Sequence, residues 1–445
     1  MGAATAAAPA RRLGHRDFAI LSLYWIAIGY LWQSLGTLIL PDLVQSFVGS
    51  ADKGKALSIL EGIGTVMAVV WQPVVGSISD RTRTRFGRRR PFIFGGTIGD
   101  VLFLAGIALS GSYWVLVIFY FLLQTASNTA QGPYQGLLPD VVPHEQRGTA
   151  SGYYGLSNLI GILMGTVGAG VIQSNFGRGA ALLSIAALLL VTMLATVLLV
   201  PDTVEPDRAQ FTTARAAVVH AFVQPLDHRD FMWLMGSRLL ILMGIVGIQS
   251  FTFFYFSDVF FHGDSKATVK ATFTLLGLVI GLGILVTWPA AWLSDRIGRR
   301  PIILGGGLIG AAGTLVLVFS HYQWVPSSLL APLGAALHVP ELAAQVLLVG
   351  LLIGIGFGSF LSVDWAFMTD VIPRDQAGLF MGFSNIATAG SGIIARFLGG
   401  FLLDAFNAGP PILGLPGGYP VIFAICCVWL VIGSILVLKV REVRR

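Results

Sequence analysis

The fold is decided by a stretch that occurs twice, as SDRTRTRFGRRRPFIFGG at residues 79–96 and as SDRIGRRPIILGGG at residues 294–307. Each copy is a short basic turn between two apolar stretches. Two further pairs return in the same order, LGHRDFAIL at 13–21 with LDHRDFMWL at 226–234, and YQGLLPDVVPHEQRGTASG at 134–152 with DWAFMTDVIPRDQAGLFMG at 364–382. Three pairs in register predict an internal duplication.

The composition excludes a soluble protein. Of the 445 residues, 55% are hydrophobic and 11% are charged, and the mean hydropathy is +0.78. Soluble domains carry about 25% charged residues. Cys426 and Cys427 are adjacent within an apolar run, so a disulfide scaffold is excluded as well.

Twelve mostly apolar stretches are each long enough to cross ~30 Å of hydrocarbon as a helix. They do not alternate as the strands of a membrane β-barrel do, and 55 glycines favour close helix packing. The predicted fold is therefore an all-α polytopic membrane protein with spans at 18–40, 56–79, 91–110, 113–138, 149–173, 179–200, 231–257, 271–293, 301–320, 344–368, 378–401 and 419–438.

Six of these spans fall in each repeat. The sequence thus predicts two pseudo-symmetric six-helix bundles, at 18–200 and 231–438, joined by a linker at 201–230. The tails cover 1–17 and 439–445. Two such bundles are the architecture of carriers that open alternately to either side of a site at the membrane midplane.

The basic residues predict the orientation. If the amino terminus is cytoplasmic, 21 of the 28 lysines and arginines fall in cytoplasmic segments, as the positive-inside rule requires. We therefore expect both termini to be cytoplasmic, and the net charge of +6 to anchor loops rather than bind nucleic acid. The sequence has no Asn-x-Ser/Thr acceptor, which favours a bacterial inner membrane.

The repeated loop resembles the signature loop of the major facilitator superfamily, a superfamily of transporters. WQPVVGSISDRTRTRFGRRRPFI at 71–93 and NTAQGPYQGLLPD at 128–140 are similar to the sucrose transporters and the related glycoside-pentoside-hexuronide symporters, and Gly29 with Gln33 matches their first helix. The resemblance implies a carrier for a glucoside or disaccharide that works by alternating access. The sequence shows no metal cluster, nucleotide loop or catalytic triad, so we predict neither enzymatic activity nor a cofactor.

The two basic loops are predicted to form a cytoplasmic gate. Charge-assisted bonds from these loops to neighbouring helix ends would hold the gate shut in one state, although topology anchoring alone would also explain the arginines. Glycine in each loop allows a tight turn between two helices. The predicted gate residues are Asp80, Arg81, Arg85, Gly87, Arg88, Arg89, Asp295, Arg296, Gly298 and Arg299.

A row of carboxamides marks the fourth span. Gln124, Asn128, Gln131 and Gln135 are spaced i, i+4, i+7 and i+11, which places them on one helix face. Because amides are costly in hydrocarbon, this face must meet protein or a water-filled cavity. Amides suit an uncharged, polyhydroxylated ligand, whereas bonding between helices is the alternative. The predicted sugar site comprises Trp32, Gln33, Gln124, Asn128, Gln131, Gln135, Tyr154, Asn158 and Trp365.

Charged residues within the spans are candidates for proton coupling, since a symporter needs a carboxylate that is buried in one state and hydrated in another. The candidates are Glu61, Asp100 and Asp364, with Arg238 as a carboxylate partner. Arg396 can simply reach the membrane surface. The sucrose transporters that the chain resembles carry an Asp at the position of Gln124, which cannot titrate, so a proton-independent uniporter is an alternative to symport.

Two other functions are alternatives to a sugar carrier. An efflux carrier for apolar or cationic molecules shares the scaffold, but it would need an aromatic pocket with an acid rather than a row of amides. A membrane sensor would need a soluble domain, for which 201–230 and 439–445 leave no room. We therefore predict a monomeric carrier in the lipid bilayer, with a sugar and a proton as its partners and without nucleic acid.

Overall fold

The computed structural model describes residues 12–82, 84–143, 146–201, 224–372 and 377–441. In this part of the chain every extended regular element is a helix. The long helices are α1 (His15–Ser34, continued by Leu35–Ile39 and Leu40–Val48), α2 (Lys53–Arg81), α3 (Arg90–Ala108), α4 (Tyr113–Val141), α5 (Arg147–Leu163, continued by Met164–Gly168 and Ala169–Phe176), α6 (Arg178–Leu199), α7 (Arg229–Val259), α8 (Ser265–Ile297), α9 (Arg299–Val318), α10 (Glu341–Val371), α11 (Ala377–Asn407) and α12 (Gly418–Leu436).

These helices follow the predicted spans in number and order. Ten of those described are long and apolar enough to cross a membrane, and α2 and α4 are each 29 residues long. A shorter helix, Ser327–Leu337, lies between α9 and α10 and packs on α10. The protein is thus a polytopic, all-α membrane protein. Eight of these helices end beyond the predicted residue, most of all α1, which continues to Val48 rather than residue 40, whereas α3, α6, α9 and α12 end one or two residues earlier than predicted.

The chain forms two compact units. The first comprises Met1–Gln33, Val66–Gly165 and Gly179–Arg208, and the second comprises the rest, including Ser34–Thr65 and Thr166–Arg178. Both α1 and α5 pass from the first unit to the second beside or within a π-helical segment. A π-helical turn inserts an extra residue into the helix and often marks a functional position.

In the first unit, small residues bring helices into backbone contact. A Cβ added at Gly96 of α3 would lie 2.6 Å from the backbone nitrogen of Ala130 in α4. A Cβ at Gly29 of α1 would lie 2.8 Å from the carbonyl oxygen of Asn158 in α5. Both positions therefore require glycine, which agrees with the close packing predicted from the glycine content.

In the second unit, α10 packs against α8 and α9, while α12 packs against α7 and α9. Large apolar side chains on the outside of the helices remain exposed, such as Leu285 and Trp288 of α8. In a membrane protein such side chains face lipid.

Candidate functional site

The carboxamides of α4 lie in the first unit and bond along their own helix. The Nε2 of Gln124 donates to the Oη of Tyr120 (2.9 Å), and the Nδ2 of Asn128 donates to the carbonyl oxygen of Gln124 (2.7 Å). The Nε2 of Gln131 donates to the Oγ of Ser127 (2.8 Å). Gln124, Asn128 and Gln131 are buried, whereas Gln135 is exposed.

This arrangement leaves hydrogen-bonding capacity on the row. Within the described residues, no other helix bonds to Gln124, Asn128 or Gln131, so these carboxamides do not hold helices together. The Oδ1 of Asn128 and the Oε1 of Gln131 accept no hydrogen bond from the described residues. Neither oxygen is among the fully buried atoms that lack a partner. Two acceptors on one helix face are therefore available to a ligand that carries hydroxyl groups.

The other predicted binding residues lie mainly around α1 and α5 of the same unit. The ring of Tyr154 stacks on that of Tyr134, with centroids 5.6 Å apart. Asn158 is half-buried against Gly29, and Trp32 and Gln33 are half-buried on α1. The side chain of Trp365 is outside the described part of the structure, so its predicted role stays a prediction.

An aromatic cluster that the sequence did not single out joins these helices. It consists of Tyr24, Trp25, Tyr134 and Tyr154. The Oη of Tyr134 donates to the carbonyl oxygen of Leu21 (2.7 Å), which ties α4 to α1. The sequence shows only that these aromatic residues lie inside predicted spans. Their contacts with one another depend on how α1, α4 and α5 pack.

The first basic loop is tied to the end of α4. The Nη2 of Arg88 and the Nε of Arg89 bond to the two oxygens of Asp140, at 2.5 and 3.0 Å. The Nη1 of Arg89 also donates to the Oγ of Ser79 at the end of α2 (3.1 Å). Both arginines are buried. The carboxylate of Asp140 thus holds two buried cations through charge-assisted hydrogen bonds.

The second basic loop repeats these contacts within the second unit. The Nε of Arg299 lies 3.4 Å from the Oδ2 of Asp370 at the end of α10, and its Nη1 donates to the Oγ of Ser294 (2.6 Å). The Nη1 also pairs with Asp295 (2.5 Å). Ser79, Arg89 and Asp140 thus correspond in their contacts to Ser294, Arg299 and Asp370.

The two glycines of the loops turn as predicted. Gly87 has φ 102° and Gly298 has φ 103°, a backbone region that favours glycine. Arg85 lies over the ring of Phe86, and Arg296 lies 3.8 Å from the ring centroid of Trp292. The side chains of Asp80 and Arg81 are not among those described.

The sequence reasoning missed Asp140 and Asp370 as loop partners. Both residues occupy the same place in the third repeated pair, as LLPD and FMTD. That repetition was a signal that could have identified them.

The candidate coupling residues have different partners. Glu61 pairs with Arg396 (2.8 Å), so Arg396 binds a carboxylate and does not merely reach the membrane surface. Asp364 of α10 pairs with Arg238 of α7, both buried. Asp100 of α3 is fully buried, and no described residue donates to either of its oxygens.

A polar cluster in the second unit was also missed. It joins the segment Ser34–Thr65 to the later helices through Lys53, which pairs with Asp258, and through Asp404, which accepts from the backbone nitrogens of Gly54 (3.1 Å) and Lys55 (2.7 Å). These nitrogens lie in the first turn of α2, where a carboxylate is favourable.

Comparisons with known proteins agree with this architecture. A family model described as MFS/sugar transport protein matches residues 54–438. The sucrose transport protein SUT5 of Oryza sativa subsp. indica is 23% identical over 431 residues, which cover 82% of this chain and 79% of that protein. Solute carrier family 45 member 3 of Mus musculus is 34% identical over 111 residues, which cover 25% of this chain and 19% of that protein.

Solved structures share the fold over nearly the whole chain. A crystal structure of the nucleoside transporter NupG has a TM-score of 0.68 at 15% identity and covers 96% of this chain and 99% of that chain. A bacterial homologue of the human lysosomal transporter Spinster, in an inward-facing and unoccupied conformation, also has a TM-score of 0.68 at 15% identity, with 97% and 99% covered.

Proposed function

The chain belongs to the MFS/sugar transport protein family of the major facilitator superfamily, and we propose that it carries a glucoside or disaccharide by alternating access. Its described residues form twelve long helices, and its fold is shared with two solved transporter structures. Because members of the family are transporters, the protein is a multi-pass membrane transporter and not an enzyme. The sucrose transport proteins among its relatives support a sucrose-like substrate.

The carboxamide row of α4 is the observation that supports this proposal best. Asn128 and Gln131 are buried, their amide groups donate along α4, and their oxygens accept nothing in the described part of the chain. A sugar hydroxyl can donate to each oxygen. The row carries no charge, which suits a neutral sugar better than the cationic substrates of an efflux carrier.

The remaining features extend this proposal. The two six-helix bundles, 18–200 and 231–438, open in turn to either side of the sugar site, and the basic loops form the gate at the cytoplasmic face. Both termini lie in the cytoplasm of a bacterial cell, and the carrier works as a monomer in the inner membrane. Uptake of the sugar is coupled to a proton.

The proposal is tested in liposomes that contain the purified chain, with radiolabelled sucrose, maltose and trehalose, with and without an imposed pH gradient. Asn128→Ala and Gln131→Ala each remove one hydrogen bond to the sugar, so we expect the KM to rise about 5- to 10-fold at unchanged membrane abundance. Thr125→Ala is the matched control, because Thr125 lies on α4 outside the row and bonds to the carbonyl oxygen of Phe121.

Two results would contradict the proposal. If uptake and membrane abundance fall together in the alanine variants, the amides serve packing rather than binding. If wild-type protein moves none of the three sugars but exports an apolar cation, the chain is an efflux carrier.

A further inference from the structure

Three carboxylates were candidates for proton coupling, and the structure separates them by their partners. Glu61 lies 2.8 Å from Arg396. Asp364 pairs with Arg238, whose Nη2 also donates to the Oγ1 of Thr388 (3.0 Å). Each of these carboxylates has a cation beside it, which offsets part of the cost of burying its charge.

Asp100 is different. Its side chain is 0% exposed, and neither oxygen has a hydrogen-bond partner among the described residues. Ionised carboxylates are not stable in such surroundings, where burial without a partner is far more costly than uptake of a proton. The neutral carboxylic acid is therefore the form that these surroundings favour.

Among the described residues, neither α1 nor α4 places a cation beside the carboxyl group of Asp100. From α4, the side chains of Ala126 and Ala130 fill the space beside Gly96 and Gly99 of α3. From α1, the titratable group near Asp100 is the phenol of Tyr24. The phenol is already bonded to the Oγ1 of Thr97 (2.6 Å). No charged group of the described residues compensates the carboxylate.

We propose that Asp100 is the residue that binds the coupling proton, which rests on the proposed function of the chain as a sugar symporter. The carboxylate takes up a proton from solvent on one side, is buried as the neutral acid, and releases the proton when another conformation hydrates it. Gln124 of α4 cannot perform this step, because a carboxamide does not titrate.

An aromatic path connects this proton site with the predicted sugar site. The Oη of Tyr24 in α1 bonds to Thr97 of α3, which is three residues before Asp100. The ring of Tyr24 meets the ring of Tyr134 edge-on, with centroids 5.0 Å apart. Tyr134 in turn stacks on Tyr154 of α5. An ionised Asp100 would need a donor, and Tyr24 can supply one only by leaving Thr97. Deprotonation therefore disturbs contacts that extend to α4 and α5.

The protonation state is tested without any sugar by infrared spectroscopy of the purified full-length protein at neutral pH. We expect a carboxylic-acid C=O band that shifts on exchange into D2O and is absent from Asp100→Asn. Glu61→Gln is the matched control and should retain the band, since Glu61 is ion-paired. A spectrum without this band, or a band that persists in Asp100→Asn, would overturn the assignment.

The coupling role is tested in liposomes with whichever of sucrose, maltose and trehalose the wild type moves. Under an inward pH gradient the wild type should accumulate the sugar and take up protons with it. Asp100→Asn should exchange internal for external sugar within about twofold of the wild-type rate, but its accumulation ratio should fall to one. Accumulation by Asp100→Asn, or uptake by the wild type that ignores the pH gradient, would overturn the coupling role. If the wild type moves no sugar, the proposed function fails, and the infrared result still decides whether Asp100 holds a proton.

Discussion

The two basic loops share their contacts but differ in charge and burial. In the first, one carboxylate, Asp140, serves two arginines, and the side chains of Arg89 and Asp140 are 6% and 11% exposed. In the second, one arginine serves two carboxylates, and Arg299 and Asp370 are 22% and 49% exposed. Duplication has therefore preserved the geometry while the surroundings have diverged.

This difference shows that two copies of one motif need not contribute equally to the stability of the fold. A buried ion pair is costly to break, because the partner left behind is an uncompensated buried charge. An exposed pair is screened by water and salt and contributes little. We infer that the ion pairs of the first loop stabilise its unit strongly, and that those of the second loop rearrange more easily.

The largest expected effect comes from Asp140→Asn. The substitution leaves Arg88 and Arg89 buried without a carboxylate, so we expect the free energy of unfolding to fall by about 3–5 kcal/mol. The measurement is denaturant unfolding in detergent micelles, followed by tryptophan fluorescence, together with membrane abundance. Asp370→Asn is the matched substitution in the other repeat. Equal losses in the two variants would refute the comparison.

An intermediate effect is expected from Arg89→Lys. A lysine keeps the charge but cannot bond to Asp140 and Ser79 with two different nitrogens, as the guanidinium does. We expect a loss of about 1–2 kcal/mol in the free energy of unfolding, of the order of one charge-assisted hydrogen bond. The matched variant Arg299→Lys should lose less in the same unfolding assay. A larger loss for Arg299→Lys would show that exposure does not govern the difference.

Much of the architecture could be predicted from the sequence because it depends on local pattern. Apolar length identified the helices, and the glycines identified the turns at Gly87 and Gly298. The spacing of Gln124, Asn128 and Gln131 predicted a shared face, on which Asn128 now bonds to Gln124. Each of these features is determined by residues within a few turns of one another.

The parts that could not be predicted depend on residues far apart in the chain. Lys53 pairs with Asp258, and Asp404 accepts from the first turn of α2. Hydropathy placed the end of the first span at residue 40 because polar residues follow it, yet the helix continues. Asp42 is satisfied there by the hydroxyl of Ser265 (2.8 Å) and the amide of Gln173 (3.1 Å). The isolation of Asp100 likewise depends on three helices that meet only in the fold.

The smallest expected effect, and the sharpest test of the comparison, is the salt dependence of the second loop. The pair between Arg299 and Asp370 is partly exposed, so Asp370→Asn should cost less than ~1 kcal/mol at low ionic strength. At 1 M salt the screening length falls to about 3 Å, and the cost should shrink toward zero. The cost of Asp140→Asn should persist, because ions do not enter the buried cluster around Asp140. Unfolding of both variants and of the wild type at low and high salt gives the two differences. If salt removed the cost of Asp140→Asn as well, solvent would reach both loops alike, and burial would not be what distinguishes the two repeats.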